Sequence, residues 1–97
     1  MQFPSETLKV IERFSNSENM WLNRSAILFQ LSYKDKTNFE ILKSECEKHK
    51  DSNEFFIQKA IGWALRDYSR FNPKGVEAYV NSTNLKPLSR REALRLL

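Results

Sequence analysis

The sequence predicts an all-α fold, a partial solenoid of about six helices in three antiparallel pairs. Three observations carry this. Glycine occurs only twice, and the three prolines stand at candidate element boundaries, so little interrupts a helical backbone. Apolar residues recur at helical spacing through most of the chain and nowhere alternate with period two over a useful length. Shifting the chain by about 35 residues lays Leu22 on Ile57, Arg24 on Lys59, Ser25 on Ala60 and Tyr33 on Tyr68, close to the spacing of helix-pair repeats.

The elements follow in order. A first helix begins after Pro4 and Ser5 and runs to about Phe14, with Leu8, Ile11 and Phe14 on one stripe. "SNSEN" breaks it. A second helix is predicted from about Met20 to Tyr33; it is apolar nearly all round, which marks an inner helix packed on several sides. Thr37 opens a third with a capping box, Thr37 to Glu40, and turns Phe39, Leu42 and Cys46 inward. "HKDSN" closes it. The fourth is "FFIQKAIGWALRDYSR", residues 55–70. The fifth starts at Asn72-Pro73, an N-cap followed by proline at the first helical position, and presents Val76, Tyr79 and Val80. A sixth is predicted at Ser89, where Ser89 and Glu92 have capping-box spacing in "LSRREALRLL".

Composition narrows the function. With 97 residues, 40% of them hydrophobic and 12% aromatic, the chain can build one small core. No run approaches the ~18 uncharged apolar residues of a membrane span, and "MQFPSETLK" lacks the apolar stretch of a signal peptide, so a cytoplasmic protein that binds no membrane is expected. The single cysteine, Cys46, excludes an intramolecular disulfide, and with His49 as the one histidine there is no plausible set of zinc ligands. No cofactor is expected. Cys46 and His49 stand at (i, i+3), the spacing of a nucleophile pair and equally of a half-buried helix edge. The net charge of +4 is uneven: residues 1–50 hold 8 Lys/Arg against 7 Asp/Glu, residues 51–97 hold 8 against 5. The second half is the better partner for an anion.

One tryptophan stands out. At ~100° per residue, Ile57, Ile61, Ala64, Leu65 and Tyr68 share a face, and Trp63 points roughly 145° from its centre, among Lys59, Arg66 and Asp67, with Arg70 two turns on. Trp63 either covers a neighbouring helix or faces a ligand. Arg24 lies beside Met20, Trp21, Ile27 and Leu28, where it could snorkel, pair with Glu18 or bind an anion. Lys59, Arg66 and Arg70 form a solvated face or a row of phosphate contacts. Gly62 costs its helix ~1 kcal/mol relative to alanine, which the close approach of another helix or of a ligand would explain. Arg90 and Arg91 follow a helix N-cap, where cations oppose the dipole, and could serve there as anion contacts.

"NMWLNRSAILFQLSYKDKT", "FFIQKAIGWALRDYS" and "PLSRREALR" together resemble, in order and spacing, the C-terminal part of the HEAT-like DNA alkylation repair proteins, the AlkD-like alkylpurine DNA glycosylases. The resemblance covers most of residues 1–97 and implies that the family's N-terminal repeats lie outside this chain. It implies a solenoid that cradles duplex DNA carrying cationic 3-methyladenine or 7-methylguanine and cleaves the N-glycosidic bond without flipping the base, unlike most glycosylases. It assigns Trp63 as a tryptophan that contacts the sugar, Arg24 as an arginine that grips DNA at the lesion, and a phosphate contact to Lys34, with Ser32 standing where a lysine is common. Lys59, Arg66 and Arg70 complete the expected DNA-binding set.

The family's catalytic aspartate and second tryptophan lie upstream of the matching region, and neither Asp67 nor Trp21 takes their place in the resemblance. The isolated chain is therefore expected to bind DNA without excising bases. The alternative is a non-catalytic helical-repeat scaffold that binds DNA or protein. The first helix would be covered by a preceding repeat in a longer solenoid, so self-association through that N-terminal surface is also expected.

Overall fold

A computed structural model describes residues 5–97 as six α-helices and one 3₁₀ segment, with no strand among the described residues. The helices are α1 (Ser5–Ser15), α2 (Met20–Leu28), α3 (Phe39–His49), α4 (Phe55–Ser69), α5 (Pro73–Ser82) and α6 (Pro87–Ala93); the 3₁₀ segment, Leu31–Lys36, lies between α2 and α3. The expected all-α repeat architecture is present. Pro4, read as a boundary for the first helix, lies outside the described residues.

The helix α4 is the hub. Its Ile57, Ala60, Ile61, Ala64 and Leu65 are buried, and with Ile27, Leu42, Cys46, Val76, Val80, Leu85 and Ala93 they form one core. It packs most extensively on α6, then on α2 and α5. The sequence order α2, α4, α6 thus becomes a spatial row. The other helices are joined across the repeat by polar side chains: Ser15 to His49 and Asn16 to Lys48 link α1 to α3, and Glu47 to Tyr79 and Thr83 link α3 to the end of α5. Residues 32 to 36 apart meet in these pairs, the same period as the internal repeat. The molecule is a slab of 33 × 32 × 20 Å, thin enough for two layers of helices.

Gly62 owes its place to helix packing. A Cβ there would stand 2.5 Å from Glu92 Cβ and 3.1 Å from the Ser89 carbonyl oxygen. Of the two explanations open in the sequence, close approach of a neighbouring helix is therefore the one realised.

Three local expectations are corrected. The predicted second helix ends at Leu28 rather than Tyr33, although the sequence there contains no glycine or proline. The cause is the buried side chain of Gln30. It donates to the Asn38 carbonyl at 3.1 Å and accepts from the Asn38 amide at 2.6 Å, which satisfies its amide only if the chain turns back on itself. The helix that remains is also less enclosed than its composition implied: Ala26 and Ile27 are buried, but Trp21 is 53% exposed.

The cap of the third helix is Asn38, whose side chain accepts from the Ile41 amide at 3.1 Å, so the Thr37–Glu40 capping box does not form. Glu40 pairs instead with Lys43. Nor is Ser89 a cap. Proline at position 87 sets the helical φ one turn earlier and starts α6 there. Ser89 is fully buried and donates to the Gln58 carbonyl at 2.9 Å, while Glu92 turns toward α4. The Asn72-Pro73 start forms as expected, with Asn72 accepting from the Gly75 amide at 3.0 Å.

Candidate functional site

Since one face of α4 is committed to the core, its other side chains meet solvent. Lys59, Trp63 and Arg66 fall at i, i+4 and i+7 along it, one stripe of a helix. The Trp63 indole is 40% exposed while Ala64 and Leu65 beside it are buried. Trp63 therefore faces outward, as the wheel predicted.

What it faces is a cleft of roughly 250 Å³ bordered by Arg24, Phe56, Lys59, Trp63, Arg66 and Glu92. Arg24 comes from α2, four of these residues from α4 and Glu92 from α6, so the row of three helices builds one concavity. The Arg24 guanidinium carbon lies 5.9 Å from the centre of the Trp63 ring. A cation at this distance from an indole gains about 0.5–1 kcal/mol at a partly exposed site. Among the described residues no carboxylate pairs with Arg24, so the expected alternative of a Glu18 pair is not realised. Its charge is held at the cleft by an aromatic face and remains available to an anion.

Lys59 and Arg66 approach the cleft from positions about two turns apart on α4 and converge on one acid. Lys59 Nζ lies 3.1 Å and Arg66 Nη1 3.5 Å from Glu92 Oε1, and Arg95 Nη1 lies 3.6 Å from Glu92 Oε2. The hydrogen bond from Lys59 is the main reason that the Glu92 carboxyl sits below the usual carboxylate range, so it is ionised at neutral pH.

The remaining sequence candidates are not in the cleft lining. Arg70 is exposed and stands 3.8 Å from Asp67, which accounts for Asp67 as its partner. Lys34 projects from the 3₁₀ segment with φ 56° and ψ −126°, the one non-glycine residue with positive φ among those described. The left-handed region costs an L-residue about 1–2 kcal/mol, so the tethered loop holds this lysine under strain. Arg90 is used internally, donating to the Val80 carbonyl at 3.2 Å and to Asn81 Oδ1 at 3.0 Å.

Phe55 and Phe56, which line the cleft, escaped the sequence reading, and Trp21, given no role there, packs beside them. Trp21 stacks tilted on Phe56 with ring centres 5.1 Å apart, Phe56 meets Phe55 edge-on at 5.3 Å, and all three are about half exposed. The signal was present as Phe55-Phe56 at the start of an amphipathic helix, outside its apolar stripe. Glu92 was read as a cap and so was missed as a member of the cleft.

Cys46 and His49 do not form a reactive pair. Cys46 is fully buried, which pushes its thiol well above the ordinary range and leaves no thiolate. His49 Nε2 is hydrogen-bonded to Ser15 Oγ at 2.9 Å, and burial lowers its basicity. No group of three His, Cys, Asp or Glu side chains suited to a metal ion occurs among the described residues, and no described helix is long and apolar enough to cross a membrane.

Comparison with known proteins bears on the family and the fold. The family model described as "DNA alkylation repair enzyme" matches residues 2–97. Among solved structures, one described as a predicted DNA alkylation repair enzyme from Enterococcus faecalis superposes with a TM-score of 0.91 at 42% sequence identity, over 96% of this chain and 44% of that one. No curated protein sequence gives a significant match. This chain thus spans less than half the length of its structural relative. Match and fold together establish that the chain belongs to the DNA alkylation repair enzyme family.

Proposed function

We propose that the cleft between α2, α4 and α6 binds the backbone of duplex DNA and forms one wall of the site where an alkylpurine DNA glycosylase excises cationic 3-methyladenine or 7-methylguanine without flipping the base. One observation carries the proposal: Arg24 lies against the outward-facing Trp63 in a cleft that also gathers Lys59 and Arg66. Arg24 and the lysines supply the charge that a phosphate needs. Trp63 supplies a π-face against which positive charge growing on the deoxyribose is stabilised as the bond to the base breaks. An alkylated purine is already a cationic leaving group, so stabilisation of the sugar is the main work left. Lys34 and Arg70 extend the basic surface beyond the cleft, and the strain at Lys34 fits a residue kept for contact rather than for stability.

A second reading, binding without catalysis, has its own support. The carboxylate that lines the cleft, Glu92, is taken up by Lys59, Arg66 and Arg95 and is poorly placed to guide water. The isolated chain is accordingly expected to bind duplex DNA without base preference and to release no alkylated base above the spontaneous rate. Fluorescence anisotropy across a salt series tests the binding, with Arg24→Ala and Lys34→Ala each expected to weaken it. Salt-independent affinity, or no binding at low salt, rejects the DNA reading. Measurable excision by this chain rejects the binding-only form.

Self-association belongs to the same proposal, with one change in its basis. Leu8, Val10 and Phe14 of α1 are half-buried, and the large exposed apolar side chains lie elsewhere, at Trp21, Phe55, Phe56 and Phe71 among others. A monomer at high concentration in sedimentation rejects it.

A further inference from the structure

We propose that Glu92 is an internal stand-in for a backbone phosphate, holding Lys59 and Arg66 at the cleft and competing with DNA for them. The inference rests on the DNA-binding reading and adds a control on affinity that the reading does not contain.

The geometry is that of an occupied anion site. Lys59 and Arg66 are seven residues apart on α4 and carry like charges, yet both reach the same oxygen, Glu92 Oε1, at 3.1 and 3.5 Å. The Glu92 side chain is 12% exposed, against 46% for Lys59 and 24% for Arg66, so Lys59 is the most open to solvent and the acid the most covered of the three. Its position is prescribed by the backbone. Gly62 lets α6 approach until Glu92 Cβ lies 2.5 Å from where a Gly62 Cβ would be, and the buried Ser89, one turn earlier on α6, is fixed by its bond to the Gln58 carbonyl. The base of the Glu92 side chain is thus set against the cationic wall, and its carboxylate is held there by the cations it pairs with.

An anion in that position has two effects on DNA. It orders two long side chains beforehand, which reduces the entropy lost on binding. It also cancels part of their charge and repels an arriving phosphate. The second effect prevails for a duplex of ordinary sequence, because non-specific affinity is mostly the charge term. Glu92 therefore keeps the molecule from holding undamaged DNA tightly, while Arg24, which it does not touch, keeps its full charge next to Trp63.

The test compares Glu92→Gln with Glu40→Gln in the 97-residue chain, using anisotropy on a short undamaged duplex over a range of salt. Both changes remove one negative charge, but Glu40 pairs with Lys43 on an exposed part of α3 away from the cleft. Glu92→Gln is expected to tighten binding roughly 3- to 10-fold and to steepen the salt dependence by about one phosphate contact. Glu40→Gln is expected to do neither to the same extent. The gain should vanish when Lys59→Gln, Arg66→Gln and Arg95→Gln, the three cations that Glu92 pairs with, are added, which a purely structural role for Glu92 would not produce. Glu92→Ala, which removes the charge with less bulk beside Gly62, covers the case in which Glu92→Gln fails to fold. It carries the same expected gain, whose absence overturns the proposal equally. Glu92→Asp, which keeps the charge, is expected to show no gain.

Wild-type binding with no gain, or a loss, in Glu92→Gln overturns the stand-in and leaves the DNA-binding reading intact. Equal gains in Glu92→Gln and Glu40→Gln also overturn it, because net charge alone then suffices. Absence of duplex binding by every variant overturns both.

Discussion

The two layers of this small molecule use their polar side chains in opposite ways. Along α1, α3 and α5 the polar groups close on each other. Glu47 accepts from Tyr79 at 2.6 Å, from Thr83 at 2.5 Å and from Lys50 at 3.0 Å, while Ser15 meets His49. Along α2, α4 and α6, Lys59 and Arg66 share one acid, and the rest of the cleft face remains open. Arg24 has an aromatic face but no acid, and Trp21, Phe55 and Phe56 lean on each other while half exposed. Pairing between helices one repeat apart ties both layers together, but only the α2, α4 and α6 layer also carries an arginine without an acid and exposed aromatic rings with which to bind. Substitutions on the two sides should therefore separate, those at buried contacts affecting stability and those on the cleft face affecting ligand affinity.

The largest effect is expected at Leu65, two residues from Trp63 and on the other side of the same helix. It is fully buried in the core, so Leu65→Ala should cost about 2–5 kcal/mol, measured by denaturant unfolding. A protein of this size has only about 5–15 kcal/mol to lose, and the variant should be partly unfolded near its melting range. A small cost would mean that the two faces of α4 are not divided as described.

Gly62→Ala comes next. Its added Cβ meets Glu92 Cβ and the Ser89 backbone, neither of which is the far end of a flexible chain, so α6 must shift. A loss of about 1–3 kcal/mol is expected. The same shift should disturb the Lys59–Glu92 contact, so affinity should change along with stability.

The acid response sharpens the comparison from the other layer. Hydrogen bonds from Thr83, Tyr79 and Lys50, in that order, hold the Glu47 carboxyl at about 2. A folded-state value below the unfolded one stabilises the fold above the ordinary carboxylate range, and this contribution is lost as pH falls from about 4.5 toward 2. Glu92, also lowered, acts in the same direction. Glu45 acts oppositely: burial raises its carboxyl, so its proton is taken up at higher pH and it opposes folding when ionised. Thermal melts of Glu47→Gln should show a weaker loss of stability over that acid window than the parent chain. The effect should be modest because the side chain is 45% exposed and its interactions are screened by solvent.

How much of this could be read from the sequence depends on whether the information was local. The buried stripe of α4 and the outward Trp63 follow from helical periodicity alone, and Asn72-Pro73 marks a helix start through its own chemistry. Gln30 could not be read the same way. It breaks α2 through a partner eight residues on, in a stretch that has every local mark of continuing helix. Ser89 and Glu92 show the same limit. Their spacing fits a capping box, but the proline at 87 starts the helix earlier and frees both side chains for contacts with α4, more than thirty residues back. The 35-residue repeat was legible as a period and misleading in detail, since Ile57 is buried while Leu22, aligned with it, is exposed. The cleft was legible on α2 and α4 and invisible on α6.

The smallest change in stability is expected at Trp63. More than half of the indole is covered, so Trp63→Ala should cost more than a fully exposed substitution, whose effect is usually under ~0.5 kcal/mol. It should nevertheless fall well short of the ~3–5 kcal/mol of a buried indole, because 40% of the residue is already in water and the space it leaves is open cleft rather than sealed core. A value near 1 kcal/mol is expected from thermal or denaturant unfolding. Affinity should respond out of proportion to that cost. Arg24 loses the aromatic face that holds it at 5.9 Å, and a bound nucleotide loses the surface on which its sugar would rest, so duplex binding should weaken even though every cation is retained. Its salt dependence should change little, since no phosphate contact is removed, whereas Arg24→Ala should flatten it. A stability loss of several kcal/mol for Trp63→Ala would return the residue to the core, and a variant that binds as tightly as the parent would remove it from the site.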